Sequence, residues 1–240
     1  MLNDIWTVAY KEFKEIWAAM GNRSALLRMG IWLVIFGVMF PLQSPENWLI
    51  SLTPVLLWSW MGMYYVGALA VNAFAGERER HTLETLLATR LPDRAILFGK
   101  IAANALYGWA LVLASAIIGL VAINVFEGGS PLRFYTPAVG LGGLLLSLLV
   151  TLAVAIVAVL ISLLVSTTRQ GQMILYVISV LLFLPLVFGL EATEMTGLTG
   201  FLTGDPAPVV PLAIAATALL GAVLLAIAMG RFRRSELILD

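Results

Sequence analysis

The sequence predicts an all-α, polytopic membrane protein with six transmembrane helices in a single transmembrane domain, residues 1–240. Hydrophobic residues make up 61% of the chain and charged residues only 12%, whereas about 25% of the residues in an ordinary globular protein are charged. A soluble fold could not cover its surface with so few charges. In addition, the charges divide the chain into long uncharged runs. If each run crosses the membrane once, nearly all Lys and Arg residues lie on the same side of the membrane.

The N-terminal residues 2–20 are predicted to form an interfacial amphipathic helix. Trp6, Tyr10, Phe13 and Trp17 recur at helical spacing, and most of the charges fall on the other side. Such a helix lies along the membrane with its aromatic rings at headgroup depth. It serves either as a simple anchor or also as the frame of a docking site for a cytoplasmic partner.

Six uncharged runs follow, and each is interpreted as one span. A helix needs about 20 apolar residues to cross a hydrocarbon core of about 30 Å. Five runs reach that length, and the first, between Arg28 and Glu46, reaches it if Arg28 extends its side chain to the interface. A backbone in lipid must satisfy its own hydrogen bonds, so the spans are expected to be helices. The predicted spans are residues 25–43, 48–75, 95–126, 138–165, 171–190 and 208–230, and the start of the second lies near Trp48 or near Pro54.

The distribution of positive charge predicts the orientation. With the N-terminus inside and six crossings, the inner segments hold 13 of the 14 Lys and Arg residues, and the outer loops hold only Arg133. Positive residues favour the cytoplasmic side of a membrane. We therefore expect a multi-pass protein of the cell membrane with both termini in the cytoplasm.

The longest polar segment, residues 76–93, joins spans two and three. Leu83, Leu86 and Leu87 form a short apolar stripe at helical spacing, and Pro92 ends the helix. So short a helix is marginal alone, so its leucines are expected to be buried against headgroups or another protein. The alternative is a surface helix with a solvated run of charges.

Several kinds of chemistry are absent from the sequence. There is no Cys, one His (His81) and no G-x-x-x-x-G-K-[ST] phosphate-binding loop. The net charge is zero, so nothing indicates a nucleic-acid partner. We therefore expect no catalytic residue, no metal site and no enzymatic activity in this chain.

The polar segment has a recognisable order of residues. It contains Gly76-Glu77-Arg78-Glu79, Thr82-Leu83-Glu84, Leu86-Leu87, Pro92 and, at the start of the next span, Gly99-Lys100. This order resembles that of the type-2 ABC (ATP-binding cassette) export permeases over about 25 residues, and the rest of the chain is similar in layout. His81 stands where that family more often has Gly or Arg.

The resemblance implies the membrane subunit of an ATP-driven exporter. Two such subunits would form the translocation path within the lipid, as a homodimer or a heterodimer. Separate ATPase subunits would hold ATP and Mg and bind the cytoplasmic side, so this chain itself would hold no cofactor. The loop between spans two and three would be the coupling helix that docks on the ATPase. The residues implied in coupling are Glu77, Arg78, Glu79, Arg80, Thr82, Leu83, Glu84, Leu86 and Leu87.

Three alternatives stay open at this point. One is a haem-exporter-like ABC permease component, and another is a carrier or channel that works without an ATPase. The third is a membrane scaffold or enzyme, for which the sequence offers no supporting residues. The substrate, the span residues that line its path and any accessory subunits are not indicated by the sequence.

Overall fold

The computed structural model describes residues 1–82, 88–128, 131–191 and 205–231, with only the backbone at residues 19, 20, 68 and 182–191. All regular elements in this part of the chain are helical. The helices are α1 (Leu2–Met20), α2 (Arg23–Val34), α3 (Phe40–Gln43), α4 (Pro45–Ile50), α5 (Thr53–Ala70), α6 (Ala75–Glu79), α7 (Asp93–Phe126), α8 (Gly143–Leu164), α9 (Thr168–Glu191) and α10 (Val209–Arg231). π-helical turns, Ile35–Met39 and Ala138–Gly142, precede α3 and α8, and a 3₁₀ turn, Val71–Ala73, extends α5.

Five stretches of the described residues are long and apolar enough to cross a membrane. They are Arg23–Gln43, Thr53–Ala73, Asp93–Phe126, Ala138–Leu164 and Val209–Arg231. They occupy the stretches predicted for spans one, two, three, four and six. The predicted fifth span, residues 171–190, falls within α9, whose side chains are described only as far as residue 181. The count of six spans therefore stays a prediction.

The second span begins at the later of the two starts that the sequence indicated. Trp48 belongs to the separate short helix α4, which Ser51 ends in an extended conformation. Pro54 then lies in the first turn of α5, where its missing N–H costs no hydrogen bond. The uncharged run between Glu46 and Glu77 is therefore divided near its start, between α4 and α5.

Helices α5, α7 and α8 pack together as the centre of the bundle. Glycines permit the close approach: a Cβ at Gly62 would collide with Thr151 of α8, and one at Gly108 would collide with Val66 of α5. Small residues commonly allow helix backbones to approach in membranes, where dispersion contacts replace the hydrophobic effect between helices.

Helix α1 packs on the first turns of α7. Its packed face carries Val8, Glu12 and Ile16, while Trp6 and Trp17 are 69% and 77% exposed. The helix is therefore held by its aliphatic side, and the described residues leave its aromatic side uncovered. The aromatic residues were the basis for predicting an amphipathic helix. The structure shows in addition that the opposite, aliphatic face packs against α7.

Candidate functional site

The predicted coupling segment begins inside the bundle. Helix α5 passes through its 3₁₀ turn, bends at Phe74 and restarts as α6, whose first three residues are buried. The chain becomes exposed at Glu79, and it is exposed again at residues 88–90 before α7 begins at Asp93. The predicted apolar stripe lies outside the described residues, together with Leu83, Glu84, Leu86 and Leu87.

A buried ion-pair network joins α6 to α1 and α7. The Nζ atom of Lys100 lies 2.7 Å from Oε1 of Glu12 and 2.9 Å from Oε1 of Glu77. Lys100 is 1% exposed, and its Nζ lies 5.2 Å from the centre of the Phe74 ring. An ammonium group so far from water must be paired, and two carboxylates pair it here. This cluster therefore holds three distant parts of the sequence together.

Lys11 adds a second, half-exposed cation to the network. Its Nζ lies 3.0 Å from Oε1 of Glu77 and 3.3 Å from Oε1 of Glu15. Partial burial disfavours the charged form of Lys11, but attraction to Glu77, Glu12 and Glu15 outweighs that effect and raises its pKa above the ordinary value. The network thus places two ammonium groups against three carboxylates.

A cavity of about 380 Å³ with charged side chains in its wall lies beside this network. Its lining includes Glu12, Glu77, Arg80 and Lys100. Within the described part of the chain, Oε2 of Glu77 is buried without a hydrogen-bond partner, so the two oxygens of this carboxylate have different surroundings.

The next two residues of α6 bind the junction between α8 and α9. The Arg78 guanidinium donates to the carbonyl oxygen of Val165 at 2.8 Å. The Glu79 carboxylate accepts from the N–H of Thr168 at 2.9 Å and from its hydroxyl at 3.0 Å. A carboxylate at a helix N-terminus satisfies a free N–H and interacts favourably with the helix dipole. These contacts tie α6 to the end of α8 and the start of α9.

A Schellman motif ends α6. The N–H of Thr82 donates to the carbonyl of Glu77 at 2.9 Å, and that of His81 donates to the carbonyl of Arg78 at 3.1 Å. The motif needs a left-handed residue at its turn, and His81 has a φ of 56°. Glycine adopts this conformation without steric cost, which gives a physical reason for the Gly that the resembling family more often has there.

The structure therefore divides the predicted coupling residues by their contacts. Glu77, Arg78 and Glu79 contact other helices of this chain, and Arg80 and Thr82 are exposed at the tip. Among the described residues, no group of three or more His, Cys, Asp or Glu side chains is arranged to hold a metal ion.

Sequence reasoning missed the roles of Glu12, Gly99 and Lys100. A Cβ at Gly99 would lie 2.6 Å from Cβ of Val8, so glycine allows α1 to reach α7 at this point. The signal was present in the Gly99-Lys100 pair and in Glu12, which lies four residues after Val8 on the same face of α1. A charge on an otherwise aliphatic face indicates a buried partner.

The comparisons with known proteins agree with this architecture. The family described as ABC-2 family transporter protein matches residues 40–203, which include most of the bundle and the whole coupling segment. A comparison with curated proteins finds no significant match. Membrane subunits of this family are not themselves ATPases, and an ATPase partner is implied. Because the match covers well over half of the sequence, the chain belongs to the ABC-2 transporter family, as a permease-type membrane subunit.

Proposed function

We propose that this chain is the permease of an ATP-driven exporter, with six spans and both termini in the cytoplasm. Two such subunits form the translocation path, and separate ATPase subunits dock on the segment of residues 76–93. One observation carries the proposal: α6 is bound to α7 through Glu77 and to α9 through Glu79, while Arg80, His81 and Thr82 after it are exposed.

The contacts of α6 support a role in transmitting movement. Glu77 connects it to α1 and α7 through Lys100, and Glu79 connects it to α9. A segment held in this way moves together with the helices that it contacts, because packed elements shift as rigid bodies. Closure of an ATPase against the tip would therefore displace spans three, four and five together.

The sequence between the two exposed ends of the segment suits a protein partner. Arg80 and Arg90 are exposed on either side of residues 83–87, whose sequence Leu-Glu-Thr-Leu-Leu combines apolar side chains with one carboxylate. In a specific interface, charged groups attract and orient the partner, and apolar groups form the contacts from which water is excluded.

The uncovered face of α1 supports the proposed orientation at the membrane. Trp6, Tyr10 and Trp17 are exposed along one side of the helix, and Nζ of Lys14 lies 5.0 Å from the centre of the Tyr10 ring. Aromatic rings with nearby Lys side chains are typical of the membrane–water interface. We infer that α1 lies along the inner surface with this face toward the headgroups.

The docking step is tested by co-purification of the ATPase. We expect the double variant Glu84→Lys, Leu86→Asp to insert normally and to lose the ABC ATPase that co-purifies with the tagged wild-type chain. The matched control is Glu127→Lys, Leu132→Asp, which makes the same two changes at the other end of the bundle. Retention of the ATPase by the first variant would refute the docking assignment, whereas a wild-type chain that co-purifies no ATPase would favour a stand-alone carrier.

The transmission step has a separate test. Glu79→Gln weakens the contact to Thr168 without changing the exposed tip. We expect this variant to retain the ATPase but to lose transport for each ATP hydrolysed in proteoliposomes. If the ratio of transport to hydrolysis equals that of the wild type, the contact between α6 and α9 does not transmit movement.

A further inference from the structure

A second cavity lies among the spans, away from the coupling segment. It has a volume of about 270 Å³ and is lined by α5, α8, α9 and α10. Nearly all of its lining is apolar, and Tyr64 and Tyr176 stand in its wall with ring centres 5.8 Å apart. We call it the tyrosine cavity. Its size lies below the usual range of roughly 300–1,000 Å³ for small-molecule sites, so it fits part of one alkyl chain.

The position of the tyrosine cavity places it within reach of one leaflet. Tyr176 lies eight residues after the start of α9, and Tyr64 lies six residues before the end of α5. At 1.5 Å per residue, both lie about 9–12 Å from the same end of the bundle. In the orientation proposed above, this end is cytoplasmic, so the cavity lies beneath the inner headgroups.

A cation lies beside the cavity. Arg28 is exposed on α2, one helical turn before Trp32, whose ring centre lies 5.1 Å from that of Tyr64 in the cavity wall. Among the described residues, no carboxylate lies within ion-pair distance of Arg28. Arg28 lies five residues after the start of α2, or about 7.5 Å along its axis. Its guanidinium can therefore reach the headgroup level from a position next to the cavity.

From this juxtaposition we propose that the tyrosine cavity and Arg28 form a binding site for one anionic phospholipid of the inner leaflet. One acyl chain enters the apolar cavity, and the phosphate pairs with the Arg28 guanidinium. The inner leaflet supplies anionic lipids, and a planar guanidinium can bind phosphate with two hydrogen bonds. Partial enclosure of a chain distinguishes this lipid from the annular lipids that surround every span.

The test measures lipid that stays bound to the full-length chain. The protein is placed in nanodiscs of phosphatidylglycerol and phosphatidylcholine in equal amounts, extracted in mild detergent and analysed by native mass spectrometry. We expect the wild type to retain one phosphatidylglycerol per chain. Arg28→Gln should reduce the preference for the anionic lipid about fivefold. The same change at Arg23, which is also exposed on α2, should leave the preference unchanged.

The cavity has its own variant and control. Thr217 lines the cavity, so Thr217→Phe should fill part of it and reduce retention of both lipids. Ala215→Phe places the same ring at an exposed position of α10 outside the lining and should have no effect. Equal retention by Thr217→Phe and the wild type, or equal preferences in the Arg28 and Arg23 variants, would overturn the proposal. The measurement needs no ATPase, so such a failure would leave the proposed coupling untouched.

Discussion

Replacing Lys100 by methionine tests the network that joins α1 to the bundle. The variant keeps most of the side-chain volume but removes an ammonium group that is 1% exposed. Glu12 and Glu77, whose Oε1 atoms lie 2.7 Å and 2.9 Å from Nζ, then lose their buried cation and keep only the half-exposed Lys11 nearby. Removing one partner from a buried ion pair costs about 3–5 kcal/mol. Because Glu12 belongs to α1, we expect most of this cost to favour detachment of α1.

The absence of cysteine makes the assay specific, because a single introduced thiol is then the only reactive one. Ala9 is buried where α1 faces α7, so Ala9→Cys reacts with a maleimide only when α1 detaches. A loss of about 3–5 kcal/mol corresponds to a rise in the labelling rate of roughly a hundredfold to a few thousandfold. The exposed residue Lys14 provides the control, since Lys14→Met should not change the rate. An unchanged rate in Lys100→Met would refute the assignment of the network as the attachment of α1.

Three further outcomes follow from the same region. His81→Gly should stabilise the chain by about 1 kcal/mol because it relieves a left-handed φ of 56°, and the melting temperature of the purified protein should rise. Gly99→Ala should increase labelling at position 9 because its Cβ would meet Val8, whereas Gly30→Ala, with no atom within 4 Å of its Cβ, should not. The raised pKa of Lys11 means that its stabilising effect is complete below its ordinary pKa of 10.5 and is lost as the pH rises further. The difference in melting temperature between wild type and Lys11→Met should therefore be constant up to about pH 10 and shrink above it; a constant difference up to pH 12 would contradict this pairing.

The distribution of charge was sufficient to predict much of the fold. Uncharged runs correspond to five described helices that can span a membrane, because the cost of burying charge in lipid leaves a direct mark on the sequence. The start of the second span was left open between Trp48 and Pro54, because Ser51 is uncharged and Pro54 is compatible with the start of a helix. Hydropathy alone does not distinguish one long helix from two short ones.

The site was harder to predict because its contacts are distant in sequence. The resemblance identified the segment that begins at Glu77, but the partners of that segment lie in α1, α7 and α9. On α1, the aromatic residues dominated the helical pattern, whereas Val8 and Glu12 form the packed face. The Glu12 carboxylate lies on the packed face of α1 because Gly99 lets α1 approach α7 closely and Lys100 pairs with it there. This contact is visible only in the folded structure.

The separation of Glu12 and Lys100 along the chain has a consequence for biosynthesis. The two residues are 88 positions apart, and at about 5–20 residues per second the ribosome needs roughly 4–18 s to make the intervening stretch. During that interval, the newly made N-terminus carries an acidic side chain whose permanent counter-ion does not yet exist. Docking of the first helix is therefore a late event in maturation, which begins only after the third hydrophobic segment has started to emerge.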